Sequence, residues 1–267
     1  MSPDLFFALT LAIKLGVTAA FVVFASMVAE RAGPVVGAMV STLPISSGPA
    51  FVFLALDHDT TFLALTTVTS LAVNAATAGF ALIYAIVAQR QRLSLSLPIA
   101  LGAWFVFAFV IEQLHWNLVS AIAVNAATFF VCIPLSRRFL HAKMRFPRRQ
   151  WYDMPLRAAM VASLVVTVVG LSARVGPAVT GILAVFPIVL TSLMLILQPR
   201  IGGPATAAVI ANTIWGLVGF GIALVVVCIT VIPLGAAVGL ALGLAVSVSW
   251  NLMIWTFRRR QLAVSKS

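Results

Sequence analysis

The feature that most constrains this chain is a series of apolar runs, each about 20 residues or longer, without alternating polar residues. Hydrocarbon offers no water to backbone N–H and C=O groups. A chain crossing it must bond them internally, as helices or as a closed barrel. Barrel strands alternate apolar and polar positions over about ten residues. These runs do not, so the chain reads as an all-α, polytopic transmembrane helical bundle. Composition agrees: 62% of the 267 residues are hydrophobic and 9% charged, against roughly 25% charged in a soluble domain.

The runs predict nine spans, at roughly 5–29, 34–56, 61–88, 96–112, 116–136, 154–172, 177–198, 204–230 and 232–257. Lys and Arg set their orientation. With the N-terminus outside and the C-terminus cytoplasmic, fourteen of the seventeen basic residues fall on the cytoplasmic side. Lys14 and Arg157 lie within spans, and Arg174 alone falls outside. A net charge of +11 would suggest nucleic acid in a soluble protein. Here the basic residues sit between apolar runs, so the partner is the lipid bilayer and no nucleic acid is expected. Cys132 and Cys228 fall inside apolar runs and read as small buried residues rather than a disulfide framework. The first run is too long for a signal-peptide core and reads as a retained span.

The chain repeats itself at a constant offset, the separation of Arg31 from Arg174. Arg31-Ala32-Gly33-Pro34 matches Arg174-Val175-Gly176-Pro177, Pro44-Ile45 matches Pro187-Ile188, and Lys14 matches Arg157. Five spans precede the second copy, and an odd number turns it upside down. An inverted repeat of 5+4 helices is therefore expected: 1–135 as the first repeat with a joining fifth span, 136–152 as a basic cytoplasmic linker, 153–257 as the second repeat and 258–267 as a tail. Inverted repeats are a frequent architecture of secondary transporters.

The stretch from Lys14 through Pro44, and its copy from Arg157 through Phe186-Pro187, resembles the small GlpM-type inner-membrane proteins. These carry an intramembrane Lys, a basic turn and a Phe-Pro in a similar arrangement. Here Arg157 stands in place of Lys, and Leu43 in place of Phe. The resemblance implies a tandem inverted duplication of that unit in a bacterial inner (plasma) membrane. The family's association with exopolysaccharide production implies envelope carbohydrate or lipid-linked substrates.

Each motif has a structural and a functional reading. The Arg-x-Gly-Pro turns are explained as helix stop and start signals. Pro44, among Ser41, Ser46 and Ser47, and Pro187, followed by Thr191 and Ser192, either kink their spans or break them to frame a binding site. Lys14 and Arg157 either snorkel or serve function, because a charge costs several kcal/mol at the bilayer centre. With no carboxylate deep in a span, an anionic solute or lipid headgroup is the expected complement to them. Ser70 and Asn74 share a helix face with Thr66 and Thr77. Together with Asn125 and Asn212, they either line a cavity or join helices. Gly235, Gly239 and Gly243, spaced by four with Ser247 and Asn251, form a small-residue face for packing within the chain or in a homodimer. No nucleotide loop, metal cluster or nucleophile–base pair stands out, so neither an enzyme nor a cofactor is expected. The leading expectation is a secondary transporter or flippase-like carrier for a small anionic or envelope-related substrate. The alternative is a non-transporting assembly subunit of an envelope or exopolysaccharide machine.

Overall fold

The computed structural model describes residues 9–10, 12–21, 23–24, 47–140 and 150–264, the last seven in backbone only. Ser41, Pro44, Ser46, the turn at Arg31, most of the basic linker and the end of the tail lie outside these residues. The described residues form helices and no strand. They are α1 (Ala12–Phe21), α2 (Ser47–Asp57), α3 (Thr60–Val87), α4 (Leu93–Glu112), α5 (Leu118–Ser136), α6 (Asp153–Ala184), α7 (Ile188–Ile201), α8 (Gly203–Leu234) and α9 (Ala236–Val264). Among them, α3, α4, α5 with its trailing 3-10 turn, α6, α8 and α9 are six helices long and apolar enough to cross a membrane. The helices α1, α2 and α7 are shorter and apolar.

Local chemistry starts the helices where polar residues interrupt the apolar runs. Asp59 caps α3 by accepting from Phe62 N–H at 2.7 Å. Asn117 and Ser120 form a reciprocal capping box at the start of α5, satisfying two amides that the first turn leaves unbonded. Proline does not end every helix: Pro98 lies inside α4 and Pro134 inside α5.

Burial separates a hub from a periphery. Almost every α3 residue from Leu63 to Ala85 is buried, and many are Ala, Thr or Ser, which lets neighbouring backbones approach. On α4 and α5, Phe105, Phe109 and Phe130 are 57%, 62% and 82% exposed. Large aromatic side chains displayed this openly along apolar helices of membrane-crossing length suit lipid tails.

The two longest-buried partners, α3 and α8, run antiparallel. Gly203 at the start of α8 abuts the Ala88 carbonyl just past the end of α3. Midway, Asn74 donates to the Leu217 carbonyl at 3.0 Å, and Gly221 lies against Asn74 and Leu71. Helix starts also keep the repeat offset: Thr60 and Gly203 begin α3 and α8, and Leu93 and Ala236 begin α4 and α9. Asn74 and Leu217 are themselves separated by that same offset.

Several boundaries differ from the sequence reading. The predicted spans 154–172 and 177–198 become one kinked helix and a separate half-helix. Within α6, Gly176 bends the chain, and 177–184 forms a short segment beyond it. Residues 185–187 are non-helical, and α7 starts afresh at Ile188. Gly235, expected inside span 9, is instead the link between α8 and α9. Its φ of +82° and ψ of 163° belong to a region open almost only to glycine, as do those of Gly176 and Gly202. The rest of the small-residue face is covered within the chain. Gly239 packs on Val231 and Thr230, and Gly243 on Val227 and the Ala223 carbonyl. The face considered for a homodimer is thus occupied by α8.

Candidate functional site

The interruption between α6 and α7 has a definite chemistry. Ordinary helix bonding would take Val185 N–H to the Gly181 carbonyl. Instead Val185 N–H bonds to Leu183 C=O, and the Gly181 carbonyl accepts Ser70 Oγ of α3 at 2.9 Å. A side chain on α3 thus satisfies a carbonyl released by the break, as an apolar surrounding requires. Gly181 itself is needed for the approach: a Cβ there would meet the Thr66 carbonyl, Thr69 Cβ at 2.9 Å and Ser70 N at 3.2 Å.

Past the break, Pro187 takes φ −76° and ψ 48° at the head of α7. Ile188 N–H bonds to Phe186 C=O at 2.7 Å, and Thr191 N–H to Pro187 C=O at 2.8 Å. The intervening amides of Val189 and Leu190 have no backbone acceptor among the described residues. These amides, on a 14-residue helix, form the positive end of its dipole. Thr191 Oγ1 in the same turn is buried without a hydrogen-bond partner. Helical Cβ bonds tilt toward the N-terminus, which sets the Thr191 side chain on the side of the break. Phe186 packs edge-on against Trp104 of α4 at 5.0 Å, and Trp104 Nε1 donates to Thr77 Oγ1 at 3.2 Å. An aromatic wall therefore backs the interruption opposite the middle of α3.

Beside it lies an amide cluster. Asn74 Nδ2 donates to Asn125 Oδ1 and to Leu217 C=O, both at 3.0 Å. Asn125 donates in turn to the Leu71 and Ala121 carbonyls. The cluster ties α3, α5 and α8 together. Asn212 lies apart, bonding the Ala208 carbonyl of its own helix at 2.8 Å. Ser47 is buried at the start of α2.

The cations are placed differently from expectation. Lys14 does not lack an acidic partner: its Nζ pairs with Asp57 at the last residue of α2 and lies 5.8 Å from the Phe53 ring. Asp57 sits at a helix end rather than deep in a span, and a lysine stem is long enough to reach that end, where its charge is met. Arg157 is half-buried on α6, one turn after Asp153. Asp153 itself forms a forked ion pair with Arg200, one arm at 2.7 Å, and the guanidinium lies 5.3 Å from the Tyr152 ring.

A second feature escapes the sequence reading. Gln198 Oε1 accepts from Tyr84 Oη at 2.7 Å and Ser96 Oγ at 2.9 Å, while Nε2 donates to Gln91 C=O at 3.0 Å. This buried knot joins the end of α7 to α3 and α4. A lone Gln near a span end gives no periodic signal. The Arg200 pair does leave one, because Asp57 and Arg200 stand at the repeat offset already found.

Long apolar helices with a lipid-suited periphery and a buried polar interior define a helical membrane-embedded protein. No protein-family model, curated protein or solved structure matches the chain.

Proposed function

We propose that this chain is a membrane carrier, of secondary-transporter or flippase type, whose substrate engages the break between Ala184 and Ile188. The observation that carries this reading is that break: a discontinuous helix in the bundle interior, offering two amides and a buried unpartnered hydroxyl. In apolar surroundings an unsatisfied polar group costs several kcal/mol. An acceptor group on a substrate, a carboxylate or phosphate of a solute or lipid headgroup, is the natural complement. Lys14 is committed to Asp57, so the half-helix end and Thr191, rather than Lys14, are the ligands in this proposal.

The carrier reading rests on an inverted repeat of nine spans, with N-terminus outside and C-terminus inside a bacterial inner membrane. The helix starts shared at the repeat offset and the antiparallel contact of α3 with α8 at equivalent positions support it. Discontinuous helices at the interface of such repeats are where transporters bind their cargo. The GlpM-type resemblance adds an envelope-related substrate to the same proposal.

The test uses proteoliposomes and four defined probes: radiolabelled phosphate, sulfate and succinate for uptake, and fluorescently tagged phosphatidylglycerol for flipping. Wild-type protein is expected to move at least one. Thr191→Val keeps the shape but removes the hydroxyl, and should slow that probe roughly 10-fold or more, the equivalent of one hydrogen bond to a charged group. Wild-type vesicles that move none of the four, or Thr191→Val vesicles as fast as wild type, would refute the proposal.

A further inference from the structure

The ion pairs Lys14–Asp57 and Asp153–Arg200 lie at opposite ends of the bundle. Asp57 stands two residues before Asp59, the cap of α3. Arg200 stands two residues after Gln198, which holds Tyr84 near the other end of α3. The 28 residues of α3 separate these ends by about 42 Å. One pair joins α1 to the last residue of α2, and the other joins the first residue of α6 to the last turn of α7.

Their positions correspond, but their signs do not. Asp57 and Arg200 are equivalent at the repeat offset. Their partners, Lys14 and Asp153, fall within one helical turn of equivalence, since Arg157 is the counterpart of Lys14. Cation on the first helix and anion on the second has become anion on the first and cation on the second. Three of the four side chains are largely covered, Lys14 at 11% exposed, Asp153 at 13% and Arg200 at 18%, while Asp57 at 35% remains open to its surroundings. An aromatic ring flanks each cation. Removing one partner of a partly desolvated pair leaves the other charge uncompensated, which loosens the helices that the pair joins. The Asp153–Arg200 pair also spans the break, since α6 carries one side of the interruption and α7 the other. Releasing it removes one tie at the far end of α7, where the hydrogen bonds of Gln198 to Tyr84, Ser96 and Gln91 are the others.

We infer that these pairs are opposed latches, each closing access to the break from its own end of the bundle, both shut in this structure. The inference rests on the carrier reading above and adds its gates.

The experiment places a reporter cysteine at the break, Thr191→Cys, in a chain with Cys132→Ala and Cys228→Ala. A membrane-impermeant methanethiosulfonate is applied to right-side-out and to inverted vesicles. Asp57→Asn should raise labelling several-fold from one side only, and Asp153→Asn several-fold from the other only. The swaps Lys14→Asp with Asp57→Lys, and Asp153→Arg with Arg200→Asp, should restore the wild-type rate and guard against a folding defect in the single variants. A wild-type labelling rate that neither variant changes, or that both change from the same side, overturns the latches while leaving the carrier intact. A reporter that stays unlabelled from both sides in every variant overturns the carrier reading together with them.

Discussion

Gly181 offers the sharpest test of the packing around the break. An alanine Cβ there would meet the Thr66 carbonyl oxygen, Thr69 Cβ at 2.9 Å and Ser70 N at 3.2 Å. Two of those three are backbone atoms of a helix buried along nearly its whole length, so they cannot rotate aside. α3 and the 177–184 segment must separate instead. Overpacking of this sort costs about 1–3 kcal/mol. Separation also stretches the Ser70–Gly181 hydrogen bond, and such bonds average about 0.6 kcal/mol in membrane proteins. Replacing glycine in a helix returns roughly 0.5–1 kcal/mol. The net for Gly181→Ala is a loss of about 1–3 kcal/mol, or roughly 5- to 150-fold in the unfolding equilibrium. Gly102, mid-helix in α4 with no neighbouring atom within 4 Å of an added Cβ, is the control. There only the propensity gain remains, and Gly102→Ala should stabilise by about 0.5 kcal/mol or more. Reversible unfolding in mixed micelles by SDS, followed by tryptophan fluorescence, measures both. If Gly181→Ala were as stable as wild type, the close approach of α3 to this segment would be wrong.

Three further outcomes are expected. Gly202→Ala and Gly235→Ala force a side chain into left-handed backbone conformations and should each lower stability by about 1–3 kcal/mol in the same titration; unchanged midpoints would contradict those turns. A double-mutant cycle of Asn74→Ala and Asn125→Ala should give a coupling of about 0.6 kcal/mol and no more than about 2 kcal/mol; zero coupling would mean that their amides do not meet. Alkaline phosphatase fused after Gln113 should be active and fused after Arg92 or at the C-terminus inactive, and the reverse pattern would sink the proposed orientation.

Helix positions are largely legible in the sequence because hydrocarbon imposes them. The predicted 61–88 and 204–230 lie close to α3 and α8 as found, Thr60–Val87 and Gly203–Leu234. The interruption at Pro187 is legible as well, since a proline without an N–H weakens any helix it enters. Nothing in the sequence shows that Pro98 and Pro134 are absorbed while Pro187 is not; Phe186 docking on Trp104 is the tertiary contact that distinguishes it. The partners of charges and amides are the least legible. Lys14 finds Asp57 and Gln198 finds Tyr84 from far along the chain, over separations at which no periodicity speaks. Gly235 is misleading because a stripe of glycines spaced by four looks the same whether its first member packs or turns.

The hydrogen bond from Asn74 to Leu217 has a mechanical consequence. Asn74 lies at the middle of α3, which runs from Thr60 to Val87. That makes two nearly equal arms of about 20 Å on either side of a pinned point. A tilt of α3 about that point would move its two ends in opposite directions. Tilting it by only about 5° carries each tip roughly 2 Å in opposite directions, given arms of that length. A shift of that size parts the 2.7 Å hydrogen bond from Tyr84 to Gln198 at one end, because such bonds fail within a fraction of an ångström. The opposite tip would move as far the other way, while the residues around Asn74 scarcely move.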